Sequence, residues 1–320
     1  MNRDLRLDGL KFIMIFLVVL GHLRFIDYGI DIGKMIYSFH MPVFVFLSGY
    51  FTSQKTDKEK QAKWLKRMLL IYVIAQFAHF ILGLALGYFQ ATVKNEAFDT
   101  DLLSWNVLIS PFLALWYLVC LIYWRLSVWR FFPKTSDINL LSISIVLAIV
   151  SGLIPIDHDF AFQRAFSFFP FFVIGLIFKK RNLMPTLNRT PIISAWVVLL
   201  LGLLIARYLP TYLPKFHYTC WQDVVYRIVQ TVLGMVLCLS VLRISQISVT
   251  EKLAKYGIYT LWIYIGHTYL IIIGQTFFPL YGIKLNLISA SILACIYCVF
   301  FILLARLYHS HKEKTPTVSL

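Results

Sequence analysis

Two polar residues inside the first long apolar run of the chain are of kinds that take part in chemistry. Lys11 lies near the start of this run and His22 lies near its end. In a helix, eleven residues make three turns plus about 20°, so these side chains share one face, roughly 16 Å apart along the axis. Asp8, three residues before Lys11, falls on nearly the same face. This polar stripe predicts a helix face that lines a cavity rather than lipid.

The positions of the acidic residues favour His22 as the group that moves a proton. All 15 Asp and Glu residues lie in loops, near the ends of apolar runs or in the tail. Histidine changes its charge near neutral pH and can take a proton from a hydroxyl group. We therefore interpret His22 as a candidate general base and Lys11 as a contact for an anionic group. The alternative is that Lys11 extends to the water interface and His22 bonds a neighbouring helix.

Two further candidate binding residues lie in the second apolar run. His40 is near its outer end, where we expect it to reach the same aqueous vestibule as His22. Ser48 precedes Gly49, and this small pair serves close helix packing as readily as it serves a site.

The remaining candidates are spread along the chain. Arg164 begins the sixth run, and because an arginine at a helix start opposes the helix dipole, it predicts a specific partner such as an anionic ligand. Trp116 is a further candidate binding residue, and the alternative is that it is an interfacial or packing aromatic residue. His267, inside the ninth run, is also a candidate binding residue, and the alternative is that it forms a hydrogen bond between helices.

The helices that must position these residues belong to a chain with the composition of an integral membrane protein. Of the 320 residues, 59% are hydrophobic and only 14% are charged, against about 25% in a soluble domain. The net charge is +15, but the bases cluster in short loops, so we interpret them as topology signals and expect no nucleic-acid partner. The five cysteines show neither a disulfide framework nor metal-type spacing, and we predict no metal site.

The apolar runs predict an all-α, polytopic bundle of about ten transmembrane helices that forms a single membrane domain over residues 1–320. Each run approaches the roughly 20 residues that cross a bilayer and lacks the alternation of barrel strands. The first run starts with basic residues but shows no cleavage site, so we expect it to be a helix and not a signal peptide. The predicted segments are 9–26, 35–52, 66–90, 106–124, 138–154, 164–179, 191–208, 224–243, 257–275 and 286–307.

The distribution of basic residues predicts that both termini are cytoplasmic. With the N-terminus inside, 21 of the 30 Lys and Arg residues fall in inner segments. Eight fall in outer segments, Arg227 among them, and Lys11 lies within the first helix. Cytoplasmic loops carry the excess of Lys and Arg in membrane proteins. An added or missing helix would reverse this alternation from that point onward.

Together these residues resemble the acyltransferase-3 family of membrane acyltransferases. Lys11 and His22 match its motif of a basic residue and a histidine separated by ten residues. Asp8-Gly9-Leu10-Lys11 and Val18-Val19-Leu20-Gly21-His22 are similar to its first helix, and Ser38-Phe39-His40-Met41-Pro42 with Phe46-Leu47-Ser48-Gly49 to its second. Trp116, Arg164 and His267 follow in the expected order. The chain is most similar to the fucose 4-O-acetylase-like branch, whose members modify bacterial surface polysaccharides.

The resemblance implies an acyl-CoA donor, with acetyl-CoA expected first and succinyl left open, and no bound cofactor. It implies an acceptor hydroxyl on a glycan or lipid-linked sugar, a bacterial cytoplasmic membrane and partners in a polysaccharide biosynthesis assembly. Lys11 would hold the donor, and His22 would activate the acceptor or relay the acyl group. The basic motif position is often Arg in relatives, and Lys is also accepted. Some relatives carry an extracytoplasmic hydrolase-like domain that this sequence lacks, so transfer would finish within the membrane domain or on a separate partner.

Two other functions are compatible with the sequence. A ten-helix bundle can house the path of a polysaccharide or lipid-linked sugar exporter, which would depend on neither His22 nor acyl-CoA. An acyltransferase can also act on a protein, peptide or antibiotic instead of a glycan. The absence of an acidic residue deep in an apolar run disfavours a proton-coupled pump.

Overall fold

The structure is a computed structural model that describes residues 4–23, 29–53, 56–99, 110–132, 134–154, 159–209 and 217–314. Within these ranges the regular elements are helices, and no strand is present. The thirteen α-helices of these ranges are α1 (Leu5–His22), α2 (Gly29–Tyr50), α3 (Lys58–Lys94), α4 (Trp116–Leu126), α5 (Asp137–Val150), α6 (Phe162–Lys180), α7 (Met184–Asn188), α8 (Ile192–Tyr208), α9 (Trp221–Ile244), α10 (Ser248–Lys252), α11 (Ala254–Gly257), α12 (Thr260–Leu280) and α13 (Leu287–Lys314). A π-helical turn, Ser127–Phe131, continues α4.

The predicted apolar segments each coincide with a helix, but several helices are longer than predicted. Residues 24–26 of the first segment and 106–109 of the fourth lie outside the described residues. The fourth segment was predicted to start too early, because residues 110–115 form no α-helix and α4 begins at Trp116. The largest extension beyond a prediction is at α3, which begins at Lys58 and not at 66. Asp57 caps this helix by accepting from the backbone N–H of Glu59, and Glu59 forms an ion pair with Lys63. Capping and charge pairs stabilise a helix in water, so α3 extends beyond its apolar stretch.

The surface of the helices is that of a multi-pass membrane protein. Five helices among the described residues are long and apolar enough to cross a bilayer: α3, α6, α9, α12 and the Leu287–Ser310 part of α13. Two shorter apolar helices are also present, Asp137–Leu153 and Ile192–Tyr208. Apolar side chains along α3, including Leu70, Val73 and Phe77, are more than half exposed. Such an apolar surface is suited to lipid rather than water.

The packing divides the chain into two compact units, and each is described separately. Unit 1 comprises Met1–Gly29 and Ile247–Leu320, and unit 2 comprises Ile30–Gln246. The prediction of a single domain stays a prediction.

In unit 1, α1 packs closely on the two short helices α10 and α11. A Cβ atom on Gly9 of α1 would lie 1.7 Å from the carbonyl oxygen of Thr250 in α10. A Cβ atom on Gly257 of α11 would lie 2.3 Å from the carbonyl oxygen of Asp8. Both positions therefore require glycine, and together they fix the start of α1 against these two helices.

Unit 2 has an aromatic core between α2, α4, α5 and α6. Trp124 of α4 is buried against Phe172 of α6, and its indole N–H donates to the carbonyl oxygen of Ala165 at 2.7 Å. The backbones of α2 and α6 nearly touch, because a Cβ atom on Gly49 would lie 1.9 Å from the carbonyl oxygen of Phe172. Ser48, on the turn that carries this contact, is thereby held at a fixed place on α2.

Candidate active site

Lys11 and Asp8 form an ion pair on one face of α1. The Lys11 Nζ atom lies 2.9 Å from Asp8 Oδ1, at the i, i+3 spacing. The Asp8 side chain is 9% exposed and that of Lys11 is 25% exposed. Asp8 is buried because α11 packs over it at Gly257. The acidic residue therefore holds the ammonium group near the start of the helix, at the edge of the protein interior.

His22 is the last residue of α1, and the fold brings it next to His267 of α12. The Nδ1 atom of His22 lies 2.8 Å from the carbonyl oxygen of Val18. The Nε2 atom of His267 lies 3.4 Å from the same Nδ1 atom, and the two ring centroids are 5.2 Å apart. His22 is half-buried, whereas His267 is completely buried. Two residues 245 positions apart in the chain thus form one imidazole pair within unit 1.

The hydrogen bonds of this pair define which ring nitrogens carry protons. A carbonyl oxygen can only accept, so Nδ1 of His22 must carry the hydrogen that it donates to Val18. In the neutral ring the lone pair of His22 is then on Nε2. By the same reasoning Nδ1 of His267 donates to the carbonyl oxygen of Ile263 at 3.0 Å. In this tautomer, His22 has the basic nitrogen that a general base needs.

A bond to the carbonyl four residues earlier is common among the helix histidines and does not by itself identify a site. His40 makes it to Ile36 at 2.6 Å, and His79 makes it to Ala75 at 2.7 Å. Both of these residues are buried in unit 2. His40 also contacts the Tyr37 ring, at a centroid distance of 4.9 Å. The neighbouring imidazole is what distinguishes the environment of His22.

In unit 2 the fold brings Trp116 and Arg164 together. The Arg164 guanidinium carbon lies 5.1 Å from the centroid of the Trp116 ring, within the range of a cation–π interaction. Trp116 also stacks on Phe168, at 5.5 Å between centroids. Next to it, Tyr117 shares a hydrogen bond with Ser48 of α2. Arg164 therefore has an aromatic contact in the protein, in addition to any ligand that it binds.

Arg227 is a polar residue of the interior whose place the sequence analysis missed. Assigned above to an outer segment, it lies in the second turn of α9 and is 1% exposed. Its Nη1 atom donates to the hydroxyl of Ser167 at 2.6 Å and to the carbonyl oxygen of Ala148 at 2.9 Å. The guanidinium also lies over the Tyr218 ring. The predicted segment 224–243 already contains Arg227 in its first turn, and the helix begins three residues earlier, at Trp221, which places Arg227 deeper in the helix.

Arg125 is a second such residue. Its guanidinium carbon lies 4.3 Å from the centroid of the Trp64 ring and 5.9 Å from that of Trp129. Its Nε atom donates to the hydroxyl of Thr52 at 3.0 Å. The sequence shows it only as one of many basic residues at the end of an apolar run, because Trp64 and Thr52 lie on other segments, and only Trp129 is close to it in the chain.

The predicted site residues thus fall into both units. Unit 1 contains Asp8 paired with Lys11, and His22 paired with His267. Unit 2 contains His40, Ser48 bonded to Tyr117, and Trp116 in contact with Arg164. Their roles in binding and catalysis stay predictions.

Comparison with known proteins identifies the class to which this all-helical membrane protein belongs. A family model described as an acyltransferase domain matches residues 4–307, almost the whole chain. The chain therefore belongs to the acyltransferase-3 family, and the resemblance inferred from its motifs is confirmed.

The chain is also similar to the nodulation protein NolL of Sinorhizobium fredii (strain NBRC 101917 / NGR234). The two are 28% identical over 226 residues, which covers 62% of this chain and 56% of that protein. The chain thus spans little more than half the length of the curated relative that it matches. No solved structure matches the chain.

Proposed function

We propose that the protein is a membrane O-acyltransferase that moves an acetyl group from cytoplasmic acetyl-CoA to a sugar hydroxyl. The acceptor is a surface polysaccharide or its lipid-linked precursor, and the location is the bacterial cytoplasmic membrane. Membership of the acyltransferase-3 family supports the reaction type. The basic residues concentrated in alternate loops support ten crossings, with both termini on the side of the donor.

The observation that carries this proposal is the 2.8 Å contact of His22 Nδ1 with the carbonyl oxygen of Val18, which assigns the lone pair of the neutral ring to Nε2. With Nδ1–H donated to Val18, the Nε2 lone pair can take the proton of the acceptor hydroxyl. The acceptor oxygen then attacks the carbonyl carbon of the thioester, and the carbon–sulfur bond breaks. The proton on His22 passes to the leaving CoA thiolate, which regenerates the neutral imidazole. The products are the acetyl ester and free CoA, and no other reactant is needed.

The pair of Lys11 and Asp8 supports a donor site at the other end of the same helix. An ammonium group has three donor hydrogens, and the carboxylate engages one side of it. The exposed part of the Lys11 side chain suits a phosphate group of CoA. The pantetheine arm is long enough to carry the acetyl group over the roughly 16 Å from Lys11 to His22.

The test compares two histidine variants in a strain that lacks the native gene. His22→Gln keeps a hydrogen-bonding side chain but removes the basic nitrogen. His79→Gln is the matched control, because His79 is a buried histidine with the same bond to the carbonyl four residues earlier. We expect base-labile acetyl groups on the isolated glycan to fall on the order of 10²–10⁴-fold with His22→Gln and to persist with His79→Gln.

The same experiment distinguishes the alternatives. Normal acetylation by folded His22→Gln would overturn the proposal. Surface glycan lost altogether in the deletion strain would favour an exporter. If the surface glycan has the same chemical structure in the wild-type and deletion strains, the result would favour an acceptor other than a glycan. Labelled acetyl found on His22 itself would indicate a covalent relay in place of a general base.

A further inference from the structure

We propose that His267 is a positioning residue that fixes the catalytic tautomer of His22 and stabilises its protonated form. This inference deepens the proposed function and rests on it. From the sequence alone, His267 is a candidate substrate contact or the source of a hydrogen bond between helices. The structure supports a more specific role, because the nitrogen of His267 that faces His22 must be an acceptor.

The first support is the direction of the hydrogen bonds. His267 donates Nδ1–H to Ile263, so the Nε2 atom of the neutral ring has its lone pair turned toward His22. The Nδ1–H of His22 therefore has two acceptors, the Val18 oxygen at 2.8 Å and His267 Nε2 at 3.4 Å. Moving the hydrogen of His22 to Nε2 would forfeit both contacts. The pair thus keeps the basic lone pair of His22 on the nitrogen that faces away from His267.

The second support is the effect on the charged intermediate. When His22 takes the proton of the hydroxyl, its Nδ1–H becomes a stronger donor, and the lone pair of His267 accepts from it. In serine hydrolases an aspartate plays this part for the catalytic histidine. The 3.4 Å separation is long, as catalytic hydrogen bonds often are before substrate binds.

The third support is the rigidity of the position. His267 is completely buried, and the preceding residue, Gly266, lies against the ring of Phe301 in α13. A Cβ atom on Gly266 would lie 2.1 Å from that ring, so α12 and α13 are in close contact here. The imidazole of His267 is therefore held by the packing of unit 1 and does not depend on a ligand to orient it.

The test uses two amides that differ in reach. His267→Gln places an amide group where the Nε2 atom lies and keeps an acceptor for His22. His267→Asn places its amide near the Nδ1 position, so that it can bond Ile263 but cannot reach His22. Rates of transfer from labelled acetyl-CoA to endogenous acceptor are measured in membranes, with each rate divided by the amount of folded protein. Thr268→Val, which removes a buried hydroxyl at the next residue, is the control for packing.

We expect His267→Asn to lower kcat roughly 10–100-fold, as removal of a partner that orients a functional histidine typically does. The KM for acetyl-CoA should not change, and His267→Gln should restore most of kcat. In a His22→Gln background, His267→Asn should cause no further loss, because it acts only through His22.

Equal rates for the Asn and Gln variants, or a change confined to KM, would overturn this inference. A normal rate for His22→Gln would instead overturn the proposed function, whatever His267 does. An inactive His22→Gln protein together with a fully active His267→Asn protein would leave the acyltransferase intact and remove only the role of His267.

Discussion

His22 is one of several helix histidines with the same local bond, and it differs from them in its neighbouring imidazole. His22, His40 and His79 each donate Nδ1–H to a carbonyl one turn back. This bond sets the tautomer of each of these helix histidines, and it is not specific to an active site. What sets His22 apart is the imidazole of His267 beside it, and the proposed role of His267 rests on this contact.

At the other end of α1, the ion pair determines how Lys11 must be tested. Lys11→Ala removes the partner of the buried Asp8 carboxylate, and breaking a buried pair destabilises a protein by about 3–5 kcal/mol. The double variant Lys11→Met/Asp8→Asn removes both charges and avoids this penalty.

We expect the double variant to fold and to show a raised KM for acetyl-CoA, because the cation that is proposed to contact the donor is missing. Lys11→Arg should keep a KM close to that of wild type, since it retains the charge. The initial rate as a function of acetyl-CoA concentration in membranes measures both. An unchanged KM in the folded double variant would mean that Lys11 serves only to anchor the helix.

Sequence spacing predicted the contact of Asp8 with Lys11 but not the contact of His22 with His267. Asp8 and Lys11 are three residues apart on a helix, so their contact follows from helical geometry alone. His22 and His267 belong to different helices, and the sequence has no periodicity that links them. The packing of α12 beside α1 defines that contact, and the packing of α4 on α6 defines the contact of Trp116 with Arg164.

At the scale of the helices, close backbone contacts depend on glycines that hydropathy does not detect. Gly9 and Gly257 allow α1 to approach α10 and α11 until backbone atoms touch. This approach buries Asp8 and so fixes the stripe of Lys11 and His22 in orientation. Each apolar run overlaps a helix of the described residues, but the runs did not predict the short helices α7 and α10. They underestimated the start of α3, because its polar first turns are stabilised by the Asp57 cap and the Glu59–Lys63 ion pair, which hydropathy does not detect.

Gly257→Ala should therefore destabilise unit 1. The added Cβ would lie 2.3 Å from a backbone oxygen, so α11 and α1 must separate, and overpacking of this kind typically costs about 1–3 kcal/mol. We expect a lower midpoint of thermal unfolding in detergent, measured by the loss of the monodisperse peak on fluorescence-detected gel filtration.

Gly83→Ala is the matched control, because a Cβ at Gly83 in α3 meets no atom within 4 Å. Its midpoint should equal that of the wild type or exceed it, since alanine favours helix over glycine. Equal midpoints for Gly257→Ala and Gly83→Ala would contradict the close packing of α1 described here.

At the scale of the whole molecule, the proposed topology makes a strict prediction. A reporter fused after residue 60 or 185 should report the cytoplasm, and one fused after residue 98 or 215 should report the outside. The physical reason is the excess of Lys and Arg in alternate loops. Paired alkaline phosphatase and green fluorescent protein fusions measure each position twice, because each reporter is active on only one side. A single reversed position would break the ten-helix arrangement.

The length of α3 has a consequence for the lipid around the protein. Its 37 residues span about 56 Å, almost twice the roughly 30 Å hydrocarbon core of a bilayer. The exposed apolar stretch alone, from Leu69 to Val93, spans about 36 Å at 1.5 Å per residue. An upright helix would therefore suffer hydrophobic mismatch, and either α3 tilts or the adjacent leaflets thicken. The thickness of the membrane therefore affects the tilt of α3 in unit 2. Activity reconstituted in lipids of graded acyl-chain length should vary even where the chemistry of the site is unchanged.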